Sequence, residues 1–322
     1  VNPGPVYPSL AAAAELPAKR PLHLAIGMFD GVHLGHRAVI EAAVRSARRS
    51  GGLAAVLTFD PHPSRLFRPE NPVRLIMARD QRTAALLALG VDAVIVQSFD
   101  AAFASLEAES LLPHLRSHLG GLHTVYVGEN WRFGRGRRGD VALLVAEAKK
   151  TGLHVVSAPR INGDGEPISS TRIRILITEG NIAAANVLLG AAYASEGTVK
   201  PGKRLGRTLG FPTLNLPWEP DLTPRLGVYV TRVSRLCPVP GGAPVEGLPA
   251  VANYGLRPTV EQSSAPQLEV HLLGACPFGE GDKLRVEWLA FLRPERKFTN
   301  VAELGAQIAL DRGAAREWWG ME

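Results

Sequence analysis

The sequence is poor in cysteine, with only Cys237 and Cys276 among 322 residues. The two lie far apart and form no CxxC pair, which argues against a disulfide framework and a cysteine-rich zinc site. Two free thiols in a reducing compartment are the expectation, with a single bridge between them as the alternative. No apolar run approaches the length of a membrane span. The opening segment VNPGPVYPSLAAAAELPAKRP has an Ala-rich stretch but no basic residue ahead of it, so it does not read as a secretory signal. A cytoplasmic location is expected by elimination. Internal repeats and low-complexity tracts are also missing, which argues against repeat architectures.

What is present is an ordinary globular composition, 46% hydrophobic and 20% charged, in a chain long enough for two cores. The net charge of +6 and a pI near 9.6 suit either nucleic acid or small phosphorylated ligands. The obvious arginine cluster, FGRGRRGD at Phe133–Asp140, is short and interleaved with glycine, so the small-ligand reading is preferred.

The pattern changes near residue 190. Before it, apolar runs (LHLAIG, LAAVLTF, VDAVIVQSF, LHTVYVG, LHVVSAP) alternate with segments of helical spacing that end on glycines such as Gly90 and Gly152. This predicts a Rossmann-like parallel sheet covered on both faces, with ligands at the carboxyl ends of the strands. STRIRILITEG and AAANVLLG are expected to be helices closing this part. After Gly190, short Val-rich runs (GVYVTRV, LPAVANYG, QLEVHLLG, KLRVEWLAFLR) predict a small antiparallel β-barrel with a final helix over VAELGAQIALDRGAAREWWG. Pro238–Gly247 reads as a surface hairpin loop. The expected domains are residues 1–188 and 189–322.

Chemistry concentrates at the strand ends. In Gly27-Met28-Phe29-Asp30-Gly31-Val32-His33-Leu34-Gly35-His36 a strand gives way to a helix, whose free N–H groups and dipole suit a phosphate. His33 and His36, three apart, can share one side of the first turn and donate to a triphosphate as charge builds there. Helix capping is the alternative. Thr58-Phe59-Asp60-Pro61-His62-Pro63 follows the second strand and alone would read as a turn. Gly128-Glu129-Asn130-Trp131-Arg132-Phe133-Gly134 follows the fourth, and its aromatic pair suits stacking on a ring or, equally, a core. Ser169, Ser170 and Thr171, with Arg174 one turn on, open a helix as an anion cradle.

In the second part, Gly202, Gly206, Arg207 and Gly210 lie in a Gly-rich stretch that permits close approach to phosphates. Thr213 and Asn215 are two apart in an extended chain and so share a face, where their oxygens suit Mg²⁺. Glu269, in QLEVHLLG, can accept a proton from an attacking hydroxyl. An exposed strand position explains it equally well.

The HxGH element is similar to that of the nucleotidyltransferase superfamily. GMFDGVHLGH, TFDPHP, VGENWRFG and ISSTRIR, followed by GRTLGFPTLNL, GVYV, VANYGLRPTV, LEVHLL, LAFLRPERKF and IALDRGAAR, resemble the prokaryotic bifunctional riboflavin kinase/FAD synthetases, from about Leu22 to Arg316. The resemblance implies conversion of riboflavin to FMN and of FMN to FAD, with ATP used in both steps. It places His33, His36, Ser169, Ser170, Thr171 and Arg174, with Gly27, Phe29, Asp30 and Gly31, around the ATP of the second reaction. Asp60, His62, Asn130, Trp131 and Phe133 are expected near its flavin. Thr213 and Asn215 would hold magnesium with ATP in the first reaction, and Glu269 would be its base. Riboflavin, FMN and ATP are the expected partners, with no nucleic acid, no membrane, and a monomer or weak homo-oligomer. The chain departs from the resemblance at Ala191-Ala192, Trp131 and Tyr254.

Overall fold

A computed structural model describes residues 4–202, 210–236, 245–256 and 266–321. The chain forms two compact units, Val1–Ser170 and Thr171–Glu322.

The first unit is built on β1 (Val6–Tyr7), β2 (Leu22–Ile26), β3 (Leu53–Phe59), β4 (Ala93–Gln97), β5 (Leu122–Gly128) and β6 (His154–Ala158). They form one parallel sheet in the order β1-β4-β3-β2-β5-β6. The five strands read from the sequence are all present. The two-residue β1, too short to show a period, joins at the edge. The connections are α1 (Leu34–Ser50), α2 (Pro63–Phe67), α3 (Arg79–Leu87), α4 (Ala101–Ala104), α5 (Leu111–His118) and α6 (Val141–Thr151). Each central strand is buried on both faces, which is why these runs are apolar without alternation. Ala25, Val56 and Val94 meet Ile40, Ala43 and Leu86 on one face, while Leu24, Ile26 and Leu57 lie in the other core with Leu112, Leu115 and Leu144. The direction of winding reverses between β2 and β5, so the crevice at their carboxyl ends is the ligand position of such folds. A short hairpin, β7 (Asn162–Gly163) and β8 (Glu166–Pro167), precedes the end of the unit.

The second unit opens with α7 (Ser170–Glu179) and α8 (Ile182–Leu189). These helices group with the second unit by their contacts, although the change of periodicity falls after them. On α8 the Asn186 amide donates to the Trp288 carbonyl (2.8 Å) and its oxygen accepts from the Tyr193 N–H (2.7 Å), while the Arg225 N–H donates to the Ile177 carbonyl of α7 (3.3 Å). The sheet comprises β9 (Tyr193–Thr198), β10 (Leu214–Leu216), β11 (Gly227–Arg235), β12 (Leu248–Gly255), β13 (Gln267–Leu272) and β14 (Lys283–Pro294). Its order is β10-β13-β12-β11-β14-β9, with every pairing antiparallel. A bridge between Lys200 and Asn215 brings the two edges together. The Pro238–Gly247 loop lies largely outside the described residues, as does Cys237; Cys276 is free and exposed.

One face of this sheet converges on Trp288, which is fully buried and touches Tyr193, Trp218, Tyr229 and Tyr254 at ring separations of 4.6–6.0 Å. Its indole N–H donates to Ser195 Oγ (3.0 Å). Burial raises the Tyr254 hydroxyl to about 12, so it stays neutral and tolerates this interior. The opposite face carries Val228, Val230 and Val251, which pack with Ala315 of α9 (Val301–Trp318). Trp288→Ala removes the hub of the aromatic face. It is expected to cost about 3–5 kcal/mol, which a lowered denaturation midpoint of the second unit in chemical unfolding would register.

Candidate active sites

The turn leaving β2 is left-handed at three positions: Phe29 (φ 50°), Gly31 (φ 85°) and Val32 (φ 42°). For Phe and the β-branched Val this conformation is unfavourable and must be held by its surroundings. Asp30 supplies the hold. Its carboxylate is buried and accepts from the Ile76 N–H (3.0 and 3.1 Å) and the Met77 N–H (3.2 Å). Thr58 Oγ1 donates to the Met28 carbonyl (3.0 Å) from the other side. Expected among the ATP contacts, Asp30 thus turns its side chain inward, and Phe29 is likewise buried, its ring edge-on to His36 at 5.3 Å. Gly27 lies against that ring: a Cβ there would come within 2.9 Å of it.

His33 is the N-cap of α1, its Nδ1 accepting from the His36 N–H (3.3 Å). A nitrogen that accepts carries no proton, so neutral His33 bears its hydrogen on Nε2. The His33 and His36 rings are stacked, 3.5 Å between centroids. Gly35 leaves room for this: a Cβ there would meet the His33 ring at 3.2 Å. The capping alternative is therefore realised for His33, and it fixes the tautomer of the imidazole.

Ser170 Oγ donates to the Asp30 carbonyl (2.9 Å), which sets the start of the ISST segment beside the turn. Ser169 is half-buried next to it, and Thr171 and Arg174 follow on α7. Asp60 faces two arginines, Arg82 at 3.7 Å and Arg79 at 3.9 Å. His62 caps α2 through Nδ1, which accepts from the Ser64 N–H (3.0 Å). Asn130 is exposed. Phe133 is buried in the core and stacks on the half-buried Trp131 (4.7 Å, 18°), so it is the platform beneath Trp131 and presents no free face of its own. Phe67, 60% exposed on α2, lies edge-on to Phe99 at 6.0 Å.

In the second unit, Asn215, Glu269 and Asn253 form one row across β10, β13 and β12, each directly opposite the next. Opposed residues of an antiparallel pair project from the same face, so the amide of Asn215 and the carboxylate of Glu269 share it. Asn253 is an addition to the set, legible only once register is known. Gly202 packs on Asn215: a Cβ there would fall 2.1 Å from Nδ2 and 2.8 Å from Oδ1. The hydroxyl of Thr213, the amide oxygen of Asn215 and the cradle left by Gly202 fit a hard cation carrying phosphate. Gly210 adopts φ 82°, while Gly206 and Arg207 lie outside the described residues. Nearby, Phe211 lines a recess of about 330 Å³ with Ala309, Arg312, Gly313 and Arg316 of α9.

Both constellations coincide with known families. Residues 16–172 match the FAD synthetase family and residues 189–319 the riboflavin kinase family. The chain is 38% identical over 304 residues to the bifunctional riboflavin kinase/FMN adenylyltransferase of Escherichia coli K12, covering 92% of this chain and 93% of that protein. It is 34% identical to the protein of that name from Listeria monocytogenes (92% of both chains) and 33% to that from Bacillus subtilis (91% and 90%). In architecture it is similar to a crystal structure from Streptococcus pneumoniae described as a macrolide-efflux protein, at a TM-score of 0.83 and 27% identity over 97% of this chain and 99% of that one. Among the described residues of this chain no helix is long and apolar enough to cross a membrane. With both domains matched in order and nearly the whole length shared, the chain belongs to the family of bifunctional riboflavin kinase/FMN adenylyltransferases.

Proposed function

We propose that the second unit phosphorylates riboflavin and the first adenylylates the resulting FMN. The observation that carries this reading is that both family matches run in order along the chain, with the HxGH turn at a parallel-strand switch point and the Asn215–Glu269 row on an antiparallel sheet face. In the kinase reaction Glu269 accepts the proton of the terminal ribityl hydroxyl, whose oxygen attacks the γ-phosphorus of ATP as ADP leaves. Thr213 and Asn215 would hold Mg²⁺, which neutralises phosphate charge when bound. Gly202 and Gly210 allow the backbone close to the nucleotide, and the recess beside Phe211 offers an apolar wall to the flavin.

In the adenylylation an FMN phosphate oxygen attacks the α-phosphorus of a second ATP and pyrophosphate leaves. No side-chain nucleophile is needed. The Nε2–H of His33, with His36 stacked on it, donates to the charge that builds at phosphorus, and the N-terminus of α1 adds its dipole. Ser169, half-buried beside the Asp30 turn, takes a phosphate oxygen. Asn130 and Trp131 face the flavin, with Asp60 and His62 shaping that wall. A cytoplasmic location suits an enzyme that draws on ATP twice. Incubation with riboflavin, ATP and Mg²⁺, followed by separation of the flavins, tests the whole reading: FMN and then FAD must accumulate, and the absence of either removes the corresponding site.

His33→Asn retains a capping side chain but no ring Nε2–H. FAD formation from supplied FMN should fall about 10²–10³-fold with the melting temperature nearly unchanged, and FMN formation should be spared. Steady-state rates of both half-reactions check this, and full FAD synthesis in the variant would reduce His33 to a cap.

Glu269→Gln keeps size and removes basicity. FMN formation should slow by roughly 10²-fold or more, while adenylylation of supplied FMN persists. A normal kinase rate would remove Glu269 as the base; loss of both activities would indicate misfolding.

A further inference from the structure

Two residues beyond Glu269 on β13, and on the same face, lies His271, which is 9% exposed and stands opposite Val251 of β12. Its Nδ1 is 2.8 Å from the carbonyl of Pro212, and the ring of Phe211 meets it edge-on at 5.8 Å. A carbonyl only accepts, so Nδ1 must carry the hydrogen. Nε2 then bears a lone pair, and it is buried with no donor among the described residues. An arrangement of this kind costs stability, because a buried acceptor has given up water without a replacement. Pro212 itself is an exposed residue. The hydrogen bond is thus poorly accounted for by stability alone. It does fix the backbone immediately before Thr213.

We propose that His271 is a positioning residue of the kinase site: as the neutral Nδ1–H tautomer it holds the Pro212 carbonyl and thereby aims Thr213 and Asn215 at the metal and the nucleotide phosphates. This rests on the assignment of Thr213 and Asn215 as the metal-holding pair. Burial keeps the imidazole below its ordinary pKa, as the neutral form requires.

The test uses the full-length protein with His271→Leu and His271→Asn. Leu removes the donor along with the buried acceptor. The melting temperature should therefore hold or rise, while the Mg²⁺ concentration giving half-maximal FMN formation rises about three- to tenfold, the scale of one lost hydrogen bond. Asn places an amide N–H where Nδ1–H stood and should return the Mg²⁺ requirement to within about twofold of the parent. Adenylylation of supplied FMN should be unchanged in both. Independently of activity, nitrogen-15 histidine correlation spectra at neutral pH should show one imidazole protonated on Nδ1 with Nε2 bare, a signal lost in His271→Leu. An unshifted Mg²⁺ requirement in His271→Leu, or an Nε2–H tautomer in the spectrum, would overturn the proposal. So would a His271→Asn variant that is stable yet no better than Leu. Thr213→Ala run in parallel separates the two levels: if it leaves the Mg²⁺ requirement alone, the metal assignment falls, and if it shifts while His271→Leu does not, only the positioning role falls.

Discussion

The carboxylate of Asp30 is the constraint on which the first site depends. It is buried, and it binds the N–H groups of Ile76 and Met77, in the segment ahead of α3. Hydrogen bonds to a charged acceptor contribute about 1.5–3 kcal/mol each, enough to hold a turn in which Phe29 and Val32 adopt left-handed backbone angles. That turn decides where α1 begins and so where the His33 cap and the stacked His36 sit. The Asp30 carbonyl then receives Ser170, which registers the ISST segment against the same turn.

Much of this was legible before any coordinates. The apolar strands, their alternation with helices and the motifs at strand ends gave the parallel sheet and its ligand edge. The inward turn of Asp30 was not, because its partners lie 46 and 47 residues away and are backbone groups that no spacing encodes. The burial of Phe133 was undecidable for a related reason, since a Trp-x-Phe pair reads the same as a ring-stacking wall or as core. In the barrel, the two-residue spacing put Thr213 and Asn215 on one face, but periodicity could not decide the face of Glu269 or match one strand to another. Only register brings Asn215 opposite Glu269 and adds Asn253 to the row. The attachment of α8 to the second unit was hidden likewise, since the Asn186 side chain reaches Trp288 and Tyr193 across the chain.

The two proposed sites differ in the physical means they offer for phosphate. At the β2 exit, in the proposed reading, backbone N–H groups, a helix dipole and imidazole donors would meet the anion. On the β13 face the protein offers oxygens, which attract no anion without a cation between them. Placing the donors in a parallel α/β sheet and the oxygens on an antiparallel face follows from the two architectures, since only the first ends its strands at helix N-termini.

The aromatic hub of the second unit has an optical consequence. Trp288 is sealed from water and lies within about 6 Å of three tyrosines and a second tryptophan. Excitation absorbed by those tyrosines passes to the indoles, and a dry indole emits at shorter wavelength than a wet one. Isoalloxazine absorbs where indoles emit. The barrel therefore carries a built-in light source whose quenching reports a nearby flavin without any attached dye.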